Sequence, residues 1–361
     1  MATKLKVGVL GATGMVGQRF VSLLADHPWF DVTAVAASPS SAGKAYGEAV
    51  AGRWSLAQPV PAAAASLVLA DASNVKALAD QVDFVFCAVD MAKDATAKLE
   101  EDYARAETPL VSNNSAHRGT PDVPMMIPEI NGDHAAVIEA QRRRLGTRRG
   151  FVTVKPNCSL QSYVPAIHPL WSFGPTRLAV CTYQAISGAG KTFESWPEMV
   201  DNVIPFIKGE EEKSEQEPLK IWGKVSDGKI VNASTPAITA QCLRVPVSDG
   251  HMAAVFVAFE RKPSRDAILS AWREFAGPPQ ALKLPSAPTP FLRYHEDDSR
   301  PQTRLDRDAG DGQAISLGRL RPDTVFDWRF VALSHNTVRG AAGGAVLTAE
   351  LLKAQGYLTA K

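Results

Sequence analysis

Short apolar runs alternate with longer mixed stretches through the first part of the chain. Lys4 to Leu10 is apolar and reads as a strand, and GATGMVGQRFVSLLADHP follows at once with helical spacing. Phe30 to Ala36, Val82 to Val89, Pro109 to Ser112 and Gly150 to Val154 read as further strands, with a charged helix around Lys93 to Ala106. Strands separated by helices predict a parallel, doubly wound sheet. Beyond residue 158 the pattern changes: longer strands, Arg177 to Ile186, Ala237 to Val245 and His251 to Phe259, alternate with helices and irregular segments. These predict a mixed sheet in a second domain. Gly277 to Gln302 is rich in proline and polar residues, lacks periodicity, and reads as a surface excursion. The final SHNTVRGAAGGAVLTAELLKAQG starts with small residues and continues with apolar ones at helical spacing, predicting a helix that packs back on the first domain. The expected fold is α/β: a Rossmann-like dinucleotide-binding domain over residues 1–157 plus the terminal helix 335–361, and an α+β domain with a mixed sheet over 158–334.

Composition narrows the class. A chain of 361 residues with 45% hydrophobic and 21% charged content can bury the cores of two domains of roughly 100 to 200 residues each. The net charge of +1 comes with scattered basic residues, so no nucleic-acid stripe is expected; QRRRLGTRRG, residues 141–150, reads as a solvated helix end. Cys87, Cys158, Cys181 and Cys242 show no CxxC spacing and follow no secretory signal, which points to a reducing cytoplasm. Cys87 in VDFVFCAV and Cys181 in LAVCTYQA are expected in the core. Seven histidines without paired spacing, and no apolar stretch near the ~20 residues of a membrane span, argue against metal and membrane.

Two segments carry candidate chemistry. Gly11, Gly14 and Gly17, with Thr13, Met15 and Val16 between them, form a G-x-x-G-x-x-G strand-turn-helix. Glycine there admits a pyrophosphate, and the helix N-terminus offers N–H donors to it. The next strand ends in AASPSSAGKAY, with no carboxylate for a ribose hydroxyl pair; Ser38, Ser40, Ser41 and Lys44 suit a 2'-phosphate, favouring NADP over NAD, although a solvated serine loop has the same composition. The other segment is KPNCSLQ, residues 155–161, which sets Cys158 where a strand ends and a helix starts. Partial exposure and the helix N-terminus are expected to favour its thiolate, making Cys158 a candidate nucleophile; the alternative is a small apolar residue in a core corner.

Taken together, GATGMVGQRF, SNNSAHR, KPNCS, TYQAISGAG, EPLKI, RVPVSDGH and SHNTVRGAAGG resemble, in order and spacing, the aspartate-semialdehyde dehydrogenases, and DNVIPFIKGEEEKSEQEPLK is most similar to their archaeal and fungal branch. The resemblance implies NADPH-dependent reductive dephosphorylation of L-aspartyl-4-phosphate to L-aspartate 4-semialdehyde, on the way to lysine, methionine and threonine, through a Cys158 thioester. It implies that His251 is the acid-base group, that Gln184 orients the acyl group, and that Asn157 positions the thioester oxygen. Arg244, seven positions before His251, would pair with the substrate carboxylate. Glu217 would meet the substrate amine and Lys220 the phosphate, with Asn114 and Arg118 as further phosphate contacts. Ser187, Gly188 and Ala189 would form a turn near the nicotinamide, and Asn336 would hydrogen-bond its carboxamide. A second domain that catalyses and dimerises, a homodimer or homotetramer, and inorganic phosphate as a partner are implied too.

Two positions depart from that pattern. Lys155 stands where a polar residue such as asparagine is expected, and Ser40 where many relatives carry an arginine for the NADP 2'-phosphate, so NAD use stays open. Two other readings are a malonyl-CoA reductase built on the same branch and a catalytically silent dinucleotide-binding relative. Retention of Glu217, Lys220 and Arg244 speaks against the first, and of Cys158, Gln184, Arg244 and His251 against the second.

Overall fold

The structure, a computed structural model, describes residues 3–361. Six strands, β1 (Leu5–Leu10), β2 (Phe30–Ala37), β3 (Leu69–Asp71), β4 (Phe84–Cys87), β5 (Leu110–Ser112) and β6 (Val152–Val154), form one sheet in the order β3-β2-β1-β4-β5-β6, every pair parallel. This is the doubly wound dinucleotide-binding order. Residues of β1 and β4 are buried on both faces, apart from Lys6, as a parallel sheet covered by helices requires.

The second sheet comprises β7 (Pro175–Gln184), β10 (Ala237–Arg244), β11 (His251–Phe259), β12 (Leu292–His295), β13 (Ile315–Pro322) and β14 (Trp328–Ser334), ordered β10-β7-β11-β14-β13-β12; the hairpin β8 (Lys224–Ser226) and β9 (Lys229–Val231) lies apart. It is mixed: β10 runs parallel to β7 and β12 to β13, whereas β11 is antiparallel to β7 and β14. The helix Leu160–Ile167, with all eight residues buried, packs between this sheet and the first domain within one continuous apolar cluster.

Two expectations change. Gly277 to Gln302 is not only a surface excursion: it holds the helix Pro278–Ala281 and edge strand β12, and Leu284, Phe291 and Leu292 are buried. Pro278 and Pro279 open that helix and the remaining prolines lie outside both elements, so the apolar positions show no period. Cys181 is half-buried on the open face of β7 rather than in the core, since the strand alternates and Val180 and Thr182 take the inward positions. The terminal helix Gly343–Ala354 has its first ten residues buried, so it is a core helix, packed on Phe20, Phe86 and Val111 of the first domain's cluster. Among the described residues no helix is long and apolar enough to cross a membrane, and no group of three metal-ligating side chains occurs.

Candidate active site

Strand β6 delivers the chain to a corner built by local hydrogen bonds. Lys155 N continues the ladder to Ser112 O at 2.8 Å, and Asn157 Oδ1 accepts from Ser159 N at 2.8 Å and Ser159 Oγ at 2.7 Å, which opens the helix that follows. Cys158 lies between them, partly exposed. The glycines of RGAAGG make room for this corner: a Cβ on Gly340 would sit 2.9 Å from Cys158 Cβ, and one on Gly344 2.8 Å from Lys155 Cε. Lys155 points inward, is buried, and gives its Nζ to Pro156 O at 3.0 Å. Burial pushes its amine well below the usual lysine range.

The surroundings of the thiol oppose the thiolate expected at this corner. Burial, followed by the Glu210 carboxylate, raises the Cys158 thiol, and these outweigh Lys155, Arg118 and Arg244, which favour ionisation. The thiol therefore rests neutral and ionises only when something shifts that balance.

The second sheet brings three side chains to the same place. Gln184 and Arg244 are register partners at the ends of β7 and β10, and His251 opens β11 one step beyond the Met252–Tyr183 pair. Arg244 Nη1 donates to Ala185 O at 2.7 Å, and Ala185 N donates to His251 Nδ1 at 3.0 Å. With Nδ1 accepting, a neutral imidazole carries its proton on Nε2, which is buried and has no partner. Burial, reinforced by Arg244 and His335, holds this ring well below the usual histidine range, so it is neutral. Gly188 covers both groups: a Cβ there would lie 2.7 Å from Arg244 Nη1 and 2.9 Å from His251 Nε2. Asn336 fastens this turn, accepting from Gly250 N at 2.8 Å and donating to Ser187 Oγ at 2.9 Å.

The helix Glu210–Ile221 supplies a third wall. Its Pro218 cannot donate to Ser214 O, and Tyr163 Oη fills that acceptor at 3.0 Å, fixing the helix against the one after Cys158. Glu217 and Lys220 do not pair with each other. Glu217 accepts from Arg118 Nη1 at 3.0 Å and from Asn157 N at 2.7 Å, while Lys220 Nζ donates to Arg118 O and Thr120 O, both at 2.7 Å. Burial lowers the Lys220 amine to about 8. Arg118, Glu217 and Lys220 line a cavity of about 350 Å³ together with Lys93 and Lys213. Asn114 turns its amide to Glu100 Oε1 at 3.2 Å and Cys87 Sγ at 3.4 Å and borders a neighbouring cavity.

Glu210 was not singled out from the sequence, yet it is the best-connected acid here: Asn157 Nδ2 lies 3.0 Å from both its oxygens, Gln184 Nε2 3.3 Å from one and Lys213 Nζ 2.8 Å from the other. It sits two turns before Glu217 on the same buried stripe, a spacing that was readable within the charged run.

The dinucleotide candidates form a separate cleft. Gly11 has φ +78°, and a Cβ on it would lie 2.3 Å from Ala88 O; a Cβ on Gly17 would lie 2.1 Å from Gly11 O. Gly14 is exposed and caps the helix Met15–Leu24 without a side-chain bond, leaving first-turn N–H groups including those of Met15 and Val16 for an anion. Thr13 and Met15 line a cavity of about 520 Å³ that reaches Gly190 and Thr192 of the second domain. Past the end of β2, Ser38 and Ser40 are exposed and hydrogen-bonded to each other at 3.0 Å, with Ser41 half-buried and Lys44 exposed beside them. These residues fit a dinucleotide laid across the switch point of the sheet.

A phosphate-cradling fold joined to a second domain that carries a buried imidazole and a buried guanidinium beside a cysteine defines a nucleotide-dependent dehydrogenase. Residues 6–138 match the family described as semialdehyde dehydrogenase, NAD binding domain, and residues 167–339 the semialdehyde dehydrogenase, dimerisation domain. The aspartate-semialdehyde dehydrogenase of Archaeoglobus fulgidus is 43% identical, covering 96% of this chain and 97% of that protein; that of Schizosaccharomyces pombe is 40% identical over 99% and 100%. The crystal structure of aspartate semialdehyde dehydrogenase with NADP from Candida albicans superposes with a TM-score of 0.87 at 36% identity, covering 98% of this chain and 100% of that one. The chain belongs to the aspartate-semialdehyde dehydrogenase family.

Proposed function

We propose that this protein reductively dephosphorylates L-aspartyl-4-phosphate to L-aspartate 4-semialdehyde with NADPH, in the synthesis of lysine, methionine and threonine. The observation that carries the reading is Arg244, within electrostatic reach of the Cys158 thiol, lying with the unpartnered Nε2 of His251 against Gly188, where a Cβ would be 2.7 Å from the guanidinium and 2.9 Å from the ring nitrogen. Arg244 would take the substrate carboxylate in its planar fork. Arg118 and Lys220, with Lys93 and Lys213 at the cavity mouth, would receive the phosphate. Cys158 Sγ bonds to the acyl carbon, the carbon–oxygen bond to phosphate breaks with its electron pair leaving on phosphate, the thiol proton departs on that phosphate, and a thioester remains. A reduced dinucleotide held at the turn of Gly11, Thr13 and Gly14 would supply the hydride that the thioester carbon accepts. His251 Nε2–H is placed to donate to the oxygen that gains charge at either step. The C=O bond of the semialdehyde then re-forms as the carbon–sulfur bond breaks with its electron pair on sulfur, and the thiolate takes up a proton from solvent.

Phosphate-dependent oxidation of L-aspartate semialdehyde, followed at the nicotinamide absorbance with NADP and NAD in parallel and malonyl-CoA reduction alongside, tests this. Phosphate-dependent turnover that prefers NADP is expected. A higher rate on malonyl-CoA would replace the substrate assigned here. Arg244→Lys should raise KM for the semialdehyde about tenfold or more, because an ammonium cannot make two parallel bonds to a carboxylate, and His251→Asn should lower kcat about 10² to 10⁴-fold with KM little changed. Steady-state kinetics of both variants check the division.

The second domain would also carry self-association into a homodimer or homotetramer. Val200, Val203 and Phe206 are at least half exposed on the segment whose Ile204 pairs with Arg244, and Tyr183 and Cys181 open the face of β7 nearby.

A further inference from the structure

Glu210 has no part in the chemistry described above, yet its geometry is the most constrained in the site. Its residue is 7% exposed, and its two oxygens accept four contacts from three side chains: Asn157 Nδ2 at 3.0 Å to each oxygen, Gln184 Nε2 at 3.3 Å and Lys213 Nζ at 2.8 Å. Asn157 and Gln184 come from different domains, one beside Cys158 and the other at the end of β7. A single carboxylate thus clamps the two amides that flank the nucleophile. We propose that Glu210 is a positioning residue for Cys158, which fixes the Asn157 and Gln184 amides and, by its negative charge, keeps the thiol protonated until substrate occupies the site.

The charge argument follows from what surrounds each group. The charges that act on Cys158 are Glu210, which opposes its ionisation, and Lys155, Arg118 and Arg244, which favour it. Glu210 itself is within electrostatic reach of Arg244, Cys242 and Tyr163 and is bonded to Lys213. Removing the Glu210 charge takes away the largest anionic influence on the thiol and leaves Glu217, which accepts from Asn157 N at 2.7 Å, against Lys155, Arg118 and Arg244, while removing Lys213 leaves the Glu210 carboxylate less compensated. The two changes must therefore move thiol ionisation in opposite directions. A resting thiol held neutral also reacts slowly with oxidants and alkylators, since the thiolate is the reactive form.

This inference rests on the reading of Cys158 as the nucleophile, and its test keeps the two apart. Glu210→Gln keeps the shape but turns one acceptor into a donor that faces two other donors. The pH dependence of Cys158 alkylation by iodoacetamide, read on its own peptide by mass spectrometry, should shift down by about one unit in Glu210→Gln and upward in Lys213→Met. In Glu210→Gln, kcat should nonetheless fall about tenfold or more, because both amides lose their fixed positions, with KM for the semialdehyde within about twofold. A thiol that becomes more reactive while turnover slows is not what a merely structural carboxylate would cause. Unmoved alkylation midpoints in both variants, or full kcat in Glu210→Gln, would overturn the proposal. Should Glu210→Gln fail to fold, an unmoved midpoint in Lys213→Met, whose side chain is one-third exposed, overturns it alone. Absence of dehydrogenase turnover in the unsubstituted protein would instead sink the function assigned above, and the alkylation midpoints would still decide the electrostatic role.

Discussion

Cys158→Ser and Cys158→Ala should each lower turnover by at least about 10³-fold while leaving the fold intact. The reason is chemical for the first and complete for the second. A serine hydroxyl in this site has no base placed to activate it: His251 Nδ1 is occupied by Ala185 N–H, and its Nε2 already carries the proton in the neutral ring. A thiol needs less help, because it ionises at far lower pH and Lys155, Arg118 and Arg244 already favour its anion. Folding should survive because Cys158 is partly exposed and its Cβ, which both variants retain, makes the packing contact against Gly340. Coenzyme binding titrated by fluorescence and a thermal melt should match the unsubstituted protein. Activity in Cys158→Ala within tenfold of normal would remove the thioester from the mechanism.

Arg339→Met should destabilise the protein by about 3 to 5 kcal/mol, the largest stability loss expected of any single charge removal here. Arg339 and Glu129 are both fully buried and joined by two parallel bonds, 2.7 Å from Nη1 and 2.5 Å from Nη2. Arg339 Nε also donates to Gln161 Oε1 at 3.2 Å, and its guanidinium lies 4.7 Å from the centre of the Phe291 ring. One side chain therefore holds together the helix Pro128–Asn131 of the first domain, the helix after Cys158, the segment before β12, and the irregular turn Val338–Ala342 that leads into the terminal helix. Removing the arginine strands a fully buried carboxylate without its counter-ion. The double variant Arg339→Met with Glu129→Met should recover most of the loss, since it removes both buried charges at once. Urea titration of the three proteins gives the comparison; a single variant within about 1 kcal/mol of the parent would mean that the pair is not holding the domains together.

The parts of the fold that could be read directly were those where periodicity and backbone chemistry coincide. The strand ending at Leu10 and the glycines at 11, 14 and 17 are legible because a tight turn needs positive φ at Gly11 and close helix packing excludes a Cβ at Gly17. The corner at Cys158 was legible because a strand-like run stops against a proline. Lys155 was visible as unusual, but its direction was not. Whether a lysine points out to water or in beneath a carbonyl depends on the space left by Gly344, nearly two hundred residues later. Glu210 escaped notice for a related reason. In GEEEKSEQEPLK the acids look like one solvated face, and only packing of the helix against Cys158 turns the 210, 214, 217 stripe inward.

By itself the sequence determined the alternation of elements, the two-part architecture, the phosphate-cradling turn and the residue types able to do thiol chemistry, because each follows from spacing along the chain. The tertiary structure alone decided which of those residues act together and in what state. Gln184, Arg244 and His251 share one site only because β10, β7 and β11 are neighbours in the sheet. The thiol expected to be anionic at a helix start is instead neutral, because burial and a carboxylate from a distant helix outweigh the helix dipole and three cations. Ionisation depends on the sum of charges and solvent around a group, and that sum exists only once the chain has folded.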